Sequence, residues 1–322
     1  MTRISGRAAG RPRGLRMPYR LLLIAGTASA LALVPVAAVA GPAAADARAG
    51  QYTTIDVPGA PSTVAVGIND SGVVSGFYFD NSGNEHGFIY SRGTFTTVDV
   101  PGATDTLLTV VNDPGIAVGY YIDSSGCAHG FIYRNGKFTT INAPGAGTGS
   151  GQGTFLANMN NLGVMAGFYI DSGGVQHGFI DRNGRFTAIN APDAGTASGQ
   201  GTNVGYINDL GEITGSYTEA DGNTVAFAGP LGTFRTVTDP VAPPFTTLTA
   251  AINDAGVVVG EYTDTSDEFH GFAEVRGVFT PVEDPAGTAG TNVAGINNLG
   301  VIVGFYVDSA GNLHGFELTP GP

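Results

Sequence analysis

The chain has 322 residues, of which 51 are Gly and 18 Pro, and only 13% are charged, against roughly 25% in an ordinary globular protein. So much Gly and Pro excludes long helices, while 42% hydrophobic residues, with 18 Phe and 12 Tyr, provide a core and exclude disorder. A net charge of −13 disfavours phosphate backbones, so no nucleic-acid partner is expected, and the single cysteine, Cys127, excludes an intrachain disulfide.

Taken in chain order, residues 1–47 read as a signal peptide. Arg3, Arg7, Arg11, Arg13, Arg16 and Arg20 precede an apolar run from Leu21 to Ala40, and Ala38-Val39-Ala40 and Ala45-Asp46-Ala47 offer small-residue cleavage sites. Met17 lies directly before the run and is an alternative start. The expected location is extracellular, with the periplasm or cell envelope as the alternative. A membrane association is expected only if the segment stays uncleaved as an anchor. Residues 48–51 read as a short linker, 52–318 as the folded domain and 319–322 as a tail.

Residues 52–318 hold one unit copied six times. Asn69-Asp70-Ser71-Gly72 recurs at Asn112, Asn160, Asn208, Asn253 and Asn297, at spacings of 43, 48, 48, 45 and 44. His86-Gly87-Phe88 keeps those spacings at His129, His177, His270 and His314, with Val225-Ala226-Phe227 standing in once. The length variation falls after the fourth run of each unit, where 145–154 and 193–202 are Gly-rich extensions. Four short β-forming runs per unit, as in 63–68, 73–79, 86–90 and 95–100, are separated by Asn-Asp-x-Gly, Asp-x-Ser-Gly-Asn and Arg-Asn-Gly turns.

This pattern predicts an all-β fold, a six-bladed β-propeller with four antiparallel strands per blade. The chain starts with a spare fourth strand and ends after a third. Pairing 52–57 with 314–318 therefore closes the ring, whereas an open stack needs polar caps that the sequence lacks.

The His-Gly-Phe triplets, the Gly67 to Val74 segment, the Gly-Phe-Tyr-x-Asp runs (Gly76 to Asp80, Gly167 to Asp171, Gly304 to Asp308) and the Phe-Thr-Thr strands resemble the HAF family of secreted bacterial repeat proteins. The resemblance implies an exported protein of uncharacterised function and names no substrate. The fourth unit departs most, at Val225-Ala226 and Glu212.

No cofactor and no metal is expected. The five histidines belong to different units, roughly 15 Å apart, whereas ligands of one ion sit within ~2.1 Å of it. Each is expected to cap its own hairpin or to bond a neighbouring backbone group. The Asp turns resemble half a calcium loop but lack the distal bidentate Glu, so each Asp is expected to bond amides of its own turn. Cys127 and His129 share a strand face without an evident third group, which reads as a replacement at a turn rather than a nucleophile. Glu212, Glu219 and Glu261 break the repeat, and repeat decay is the simplest account of them.

Strand alternation puts the Asp turns and the long loops on one face, and Arg92, Arg134, Arg182 and Arg276 on the other. The binding residues expected on the acidic, loop-bearing face are Asp80, Asp123, Asp171, Asp264 and Asp308. The expected role is a rigid binding module for an extracellular or cell-envelope ligand, glycan or protein. The absence of Trp removes the strongest stacking surface for a sugar. The alternative is an extracellular propeller hydrolase or lyase with a site at the channel mouth, marked by a non-repeated polar cluster there, an analogy from fold alone.

Overall fold

The structure is a computed structural model and describes residues 50–321, so the expected leader 1–47 lies outside the described residues. Their regular structure is entirely β. Strand β1 (Gln51–Ile55) stands before the first complete unit, which comprises β2 (Ser62–Ile68), β3 (Val74–Phe79), β4 (Glu85–Ser91) and β5 (Thr94–Val98). Unit 2 holds β6 (Asp105–Val111), β7 (Ala117–Ile122), β8 (Ala128–Arg134) and β9 (Lys137–Ile141). Unit 3 holds β10 (Gly153–Met159), β11 (Val164–Ile170), β12 (Gln176–Arg182) and β13 (Arg185–Ile189). In unit 4 these are β14 (Gly201–Ile207), β15 (Glu212–Thr218), β16 (Thr224–Pro230) and a short β17 (Arg235–Val237). Unit 5 holds β18 (Thr247–Ile252), β19 (Val258–Thr263), β20 (Phe269–Val275) and β21 (Val278–Val282), and unit 6 β22 (Thr291–Ile296), β23 (Ile302–Val307) and β24 (Leu313–Thr319).

Within each unit consecutive strands pair antiparallel, and the fourth place of unit 6 is taken by β1, with Tyr52 opposite Leu318 and Ile55 opposite Gly315. The pairing read from the spare terminal strands is thus present. At one end it extends a residue beyond the expected span, with Gln51 opposite Thr319, and at the other it stops at Ile55 opposite Gly315, short of the expected Val57. The first strands β2, β6, β10, β14, β18 and β22 each contact the next, and β22 returns to β2.

Every first strand carries a register shift at the same place, for example between Ala65 and Gly67 and between Leu156 and Asn158. Such bulges bend a strand and re-aim one side chain. The re-aimed residues, Val66, Thr109, Ala157, Gly205, Ala250 and Ala294, line a central cavity of about 60 Å³. That volume holds a few waters and no sugar ring.

The triplet His-Gly-Phe has a packing logic. Phe88, Phe131, Phe179, Phe227, Phe272 and Phe316 are fully buried in the cores of their units. In five of the six units a glycine precedes this Phe, with Ala226 in unit 4, and the glycine lets the next unit approach: a Cβ on Gly178 would lie 2.7 Å from Val204, and one on Gly271 2.6 Å from Val293. A second glycine series, Gly76, Gly119, Gly167, Gly215, Gly260 and Gly304, lies on the second strands. There a Cβ would meet a first-strand carbonyl oxygen at 2.0 to 2.3 Å.

Candidate binding face

Since strands alternate, the second-to-third turns and the fourth-to-first connections share one face. The long loops confirm this by bonding to the Asp turns: Gly151 N donates to Gly126 O (2.9 Å), and the Gln152 and Gln200 amides reach Ser172 O and Ala220 O. The five Asp expected as binding residues all lie here, one per unit, spread around the face rather than gathered at one point.

Each of the five uses Oδ1 to accept two amides of its own turn. For Asp80 these are Ser82 N (2.7 Å) and Asn84 N (2.9 Å), and for Asp171 they are Gly173 N (2.8 Å) and Val175 N (3.0 Å). Asp123, Asp264 and Asp308 repeat the pattern. The turn-capping role read from the sequence is therefore present.

Oδ2 faces the histidine six residues on, at 3.5 Å for His86, 3.1 Å for His129 and His177, 3.5 Å for His270 and 3.3 Å for His314. Each imidazole stacks on a tyrosine of the neighbouring strand, Tyr78, Tyr121, Tyr169, Tyr262 or Tyr306, with centroids 4.9 to 5.2 Å apart. The other ring nitrogen of His86, His129 and His270 meets Asp99, Asn142 and Glu283 just after the fourth strand. Asp56, arriving from the N-terminal segment, serves His314 in the same way at 2.7 Å.

The electrostatics follow from these bonds. Backbone and side-chain hydrogen bonds from Asn84 hold Asp80 down at about 2. Asp123 is lowered chiefly by the Ser125 hydroxyl, Asp171 by the Val175 amide and Asp308 by Asn312. At Asp264 partial burial acts upward, but the Glu268 and Ser266 amides outweigh it and its carboxyl is also lowered. Partial burial alone would depress His86, His270 and His314, yet their flanking carboxylates outweigh it and raise all three. The face thus presents five Asp–His pairs whose carboxylates stay ionised well into acid.

Unit 4 interrupts the series, with Glu219 at the Asp position and Val225 at that of His. The three repeat-breaking acids are not brought together. Glu212 accepts Asn208 Nδ2 on the opposite face (2.9 Å), Glu219 sits on the loop-bearing face, and Glu261 is interior, bonded to Asn292 Nδ2.

The opposite face corrects the simple charge map. It carries the arginine turns at its rim, but around the channel mouth it also carries a closed circle of side chains that the sequence reading did not assemble. Asp70 N donates to Asp113 Oδ1, Asp113 N to Asn161 Oδ1, Asn161 N to Asp209 Oδ1, Asp209 N to Asp254 Oδ1, Asp254 N to Asn298 Oδ1 and Asn298 N back to Asp70 Oδ1, at 2.8 to 2.9 Å. Beneath it the preceding asparagines form a second circle, each Nδ2 on the carbonyl of the next unit, from Asn69 to Asn112 O round to Asn297 on Asn69 O. Acids therefore occupy both faces, and the segregation holds for the rim only. The signal was in the sequence, because the Asn-Asp pair recurs as regularly as the histidine.

No protein-family model and no curated protein matches the chain. Solved structures resemble it. AofleA from Arthrobotrys oligospora gives a TM-score of 0.51 at 12% identity, over 83% of this chain and 85% of that one. A lectin from Aleuria aurantia, described as a six-bladed β-propeller with a novel fucose recognition mode, gives 0.46 at 12% identity, over 84% and 97%. A lectin from Burkholderia pseudomallei gives 0.46 at 11%, over 82% and 98%. The likeness to AofleA is one of fold, and with the strand pairings above it places the chain among the β-propellers.

Proposed function

We propose that the protein is an exported binding module of the HAF type, a six-bladed propeller closed by β1, which presents repeated Asp–His sites to a neutral glycan of repeating structure. Repetition carries this reading: the same carboxylate, imidazole and tyrosine recur in five units on one face. A catalytic centre is a single constellation, whereas a repeated site suits a repeated ligand, whose weak contacts add through effective concentration. At the channel mouth an Asn followed by Asp or Asn recurs in all six units, with Tyr206 as a departure in unit 4, and the cavity behind them is too small for a substrate, which supports a module over a hydrolase or lyase. The chemistry supports a glycan. Ionised Oδ2 atoms accept from sugar hydroxyls, imidazole nitrogens exchange hydrogen bonds with them, and like charge repels anionic polymers.

The test is a glycan array probed with the full chain and with a variant changing Asp80, Asp123, Asp171, Asp264 and Asp308 to Asn. Asn keeps the Oδ1 turn bonds, so the fold is retained and circular dichroism checks it. The expected result is binding to a neutral polysaccharide that the variant loses. Undiminished binding by the variant overturns the assignment of the face.

A further inference from the structure

The turn of unit 2 differs from its equivalents in a way that points to a metal. In units 1 and 6 the residue four after the Asp is asparagine, whose Nδ2 donates to the Asp Oδ2: Asn84 to Asp80 at 2.9 Å and Asn312 to Asp308 at 3.0 Å. In unit 2 this residue is Cys127, which offers sulfur instead of an amide. The Asp123 carboxylate, the Cys127 sulfur and a His129 ring nitrogen lie within 4.8 Å of one another. His129 Nε2 and Asp123 Oδ2 are 3.1 Å apart, close to the ~3.3 Å that two ligands at 2.0–2.1 Å subtend in a tetrahedron.

We propose that Asp123, Cys127 and His129 form a binding site for a borderline-soft divalent cation of the zinc class. Sulfur, imidazole and carboxylate are the donors such an ion takes, and three protein ligands leave a fourth position for water or ligand. The imidazole is already oriented. Its Nδ1 meets Asn142 Oδ1 at 3.1 Å and its ring stacks on Tyr121, so Nε2 is the nitrogen turned to the site. The thiol is 2% exposed, and the neighbouring loop covers it, with Gly147 O at 3.7 Å from the sulfur and Gly151 N bonded to Gly126 O. The histidines of different units remain too far apart to share an ion. The group that the sequence left missing for Cys127 and His129 is Asp123, brought in by the turn.

The experiment titrates the reduced full-length protein with cobalt(II) and then zinc(II). The expected result is a near-ultraviolet thiolate-to-cobalt charge-transfer band that saturates at one equivalent and is displaced by zinc. Cys127→Asn introduces the residue of units 1 and 6, with circular dichroism checking its fold, and it abolishes the band. Asp123→Asn keeps its turn bonds and lowers zinc affinity, as does His129→Gln, each by ~100-fold or more, while Asn142→Ala lowers it by ~10–100-fold. Glu268→Asn, at the equivalent turn of unit 5, leaves the band unchanged. Absence of a band, or a band of unchanged affinity in Asp123→Asn or His129→Gln, overturns the site.

Discussion

Glu261 occupies the second-strand position that Phe77, Phe168 and Phe305 fill in other units, and it is 4% exposed. Burial pushes its carboxyl up to about 8, against the opposing hydrogen bond from Asn292. An acid whose folded pKa lies above its unfolded value stabilises fully below about 4.5 and loses that contribution as pH rises towards 8, a loss on the order of 5 kcal/mol. Glu261→Gln should therefore be more stable than the parent at pH 8 and gain little at pH 4.5, as read by urea unfolding at both. An equal effect at the two pH values would refute the buried charge. Gly167 gives a second prediction at this scale. A Cβ there would stand 2.3 Å from Phe155 O and 3.0 Å from the Phe179 ring, so Gly167→Ala should cost about 2–4 kcal/mol in denaturant unfolding, whereas Gly72→Ala should cost only backbone strain, since nothing lies within 4 Å of its Cβ position. The repeating glycine was visible in the sequence. Its reason was not, because the clash is with a carbonyl of the preceding strand.

The first-to-second-strand turn is the element that joins neighbouring units. Asn160 accepts Leu162 N and Val164 N on Oδ1 at 3.1 and 2.9 Å, and its Nδ2 donates to Asn208 O of the next unit at 3.0 Å. One buried side chain thus fixes a turn and an interface together. Asn160→Ala leaves two amides and a carbonyl without these partners and should cost about 2–4 kcal/mol in urea unfolding. Asn160→Asp keeps both acceptor bonds but sets a carboxylate against the Asn208 carbonyl, so it should be destabilised too. A neutral Asn160→Asp would mean that the bond between units contributes nothing. Strand number, turn positions and the capping Asp were legible because each depends on residues within one hairpin: Asp80 and Asn84 are four apart, and Asp80 and His86 six. The repeated Asn-Asp pair was visible, but its assembly into the Asp70 circle and the Glu261–Asn292 contact were not, because they join residues of different units through the approach of neighbouring units, which local periodicity does not encode. The bulge at Val66 lies within one hairpin, between β2 and β3, and no turn residue marks it. Leu162, Leu210 and Leu299, exposed at the tips of these turns, fit no local rule, and nothing in the fold accounts for them.

At the scale of the molecule, the junction between units 6 and 1 draws on a few residues from the N-terminal end. Ile55 is buried against Ala65 and Val303, Tyr52 lies 5.6 Å from the Phe316 ring, and Asp56 reaches His314. The asparagine and aspartate circles close through the same junction, since Asn297 and Asn298 bond to Asn69 and Asp70. Two independent seams therefore meet between units 6 and 1, one hydrogen-bonded at the channel mouth and one stranded at the rim. Removing β1 leaves the first seam intact and strips the second, exposing the whole edge of β24, and an unpaired edge recruits another chain. A chain beginning at Pro58 should fold but self-associate as concentration rises, with a melting temperature several degrees lower. Loss of the buried Ile55 alone accounts for about 2–5 kcal/mol of destabilisation. Adding a synthetic peptide of residues 51–57 should restore the monomer and the melting temperature, because the β1 register on β24 is continuous from Gln51 to Ile55. Sedimentation velocity with and without the peptide decides the matter. A truncated chain that stays monomeric with an unchanged melting temperature would show that the junction of units 6 and 1 holds by the inner hydrogen bonds alone.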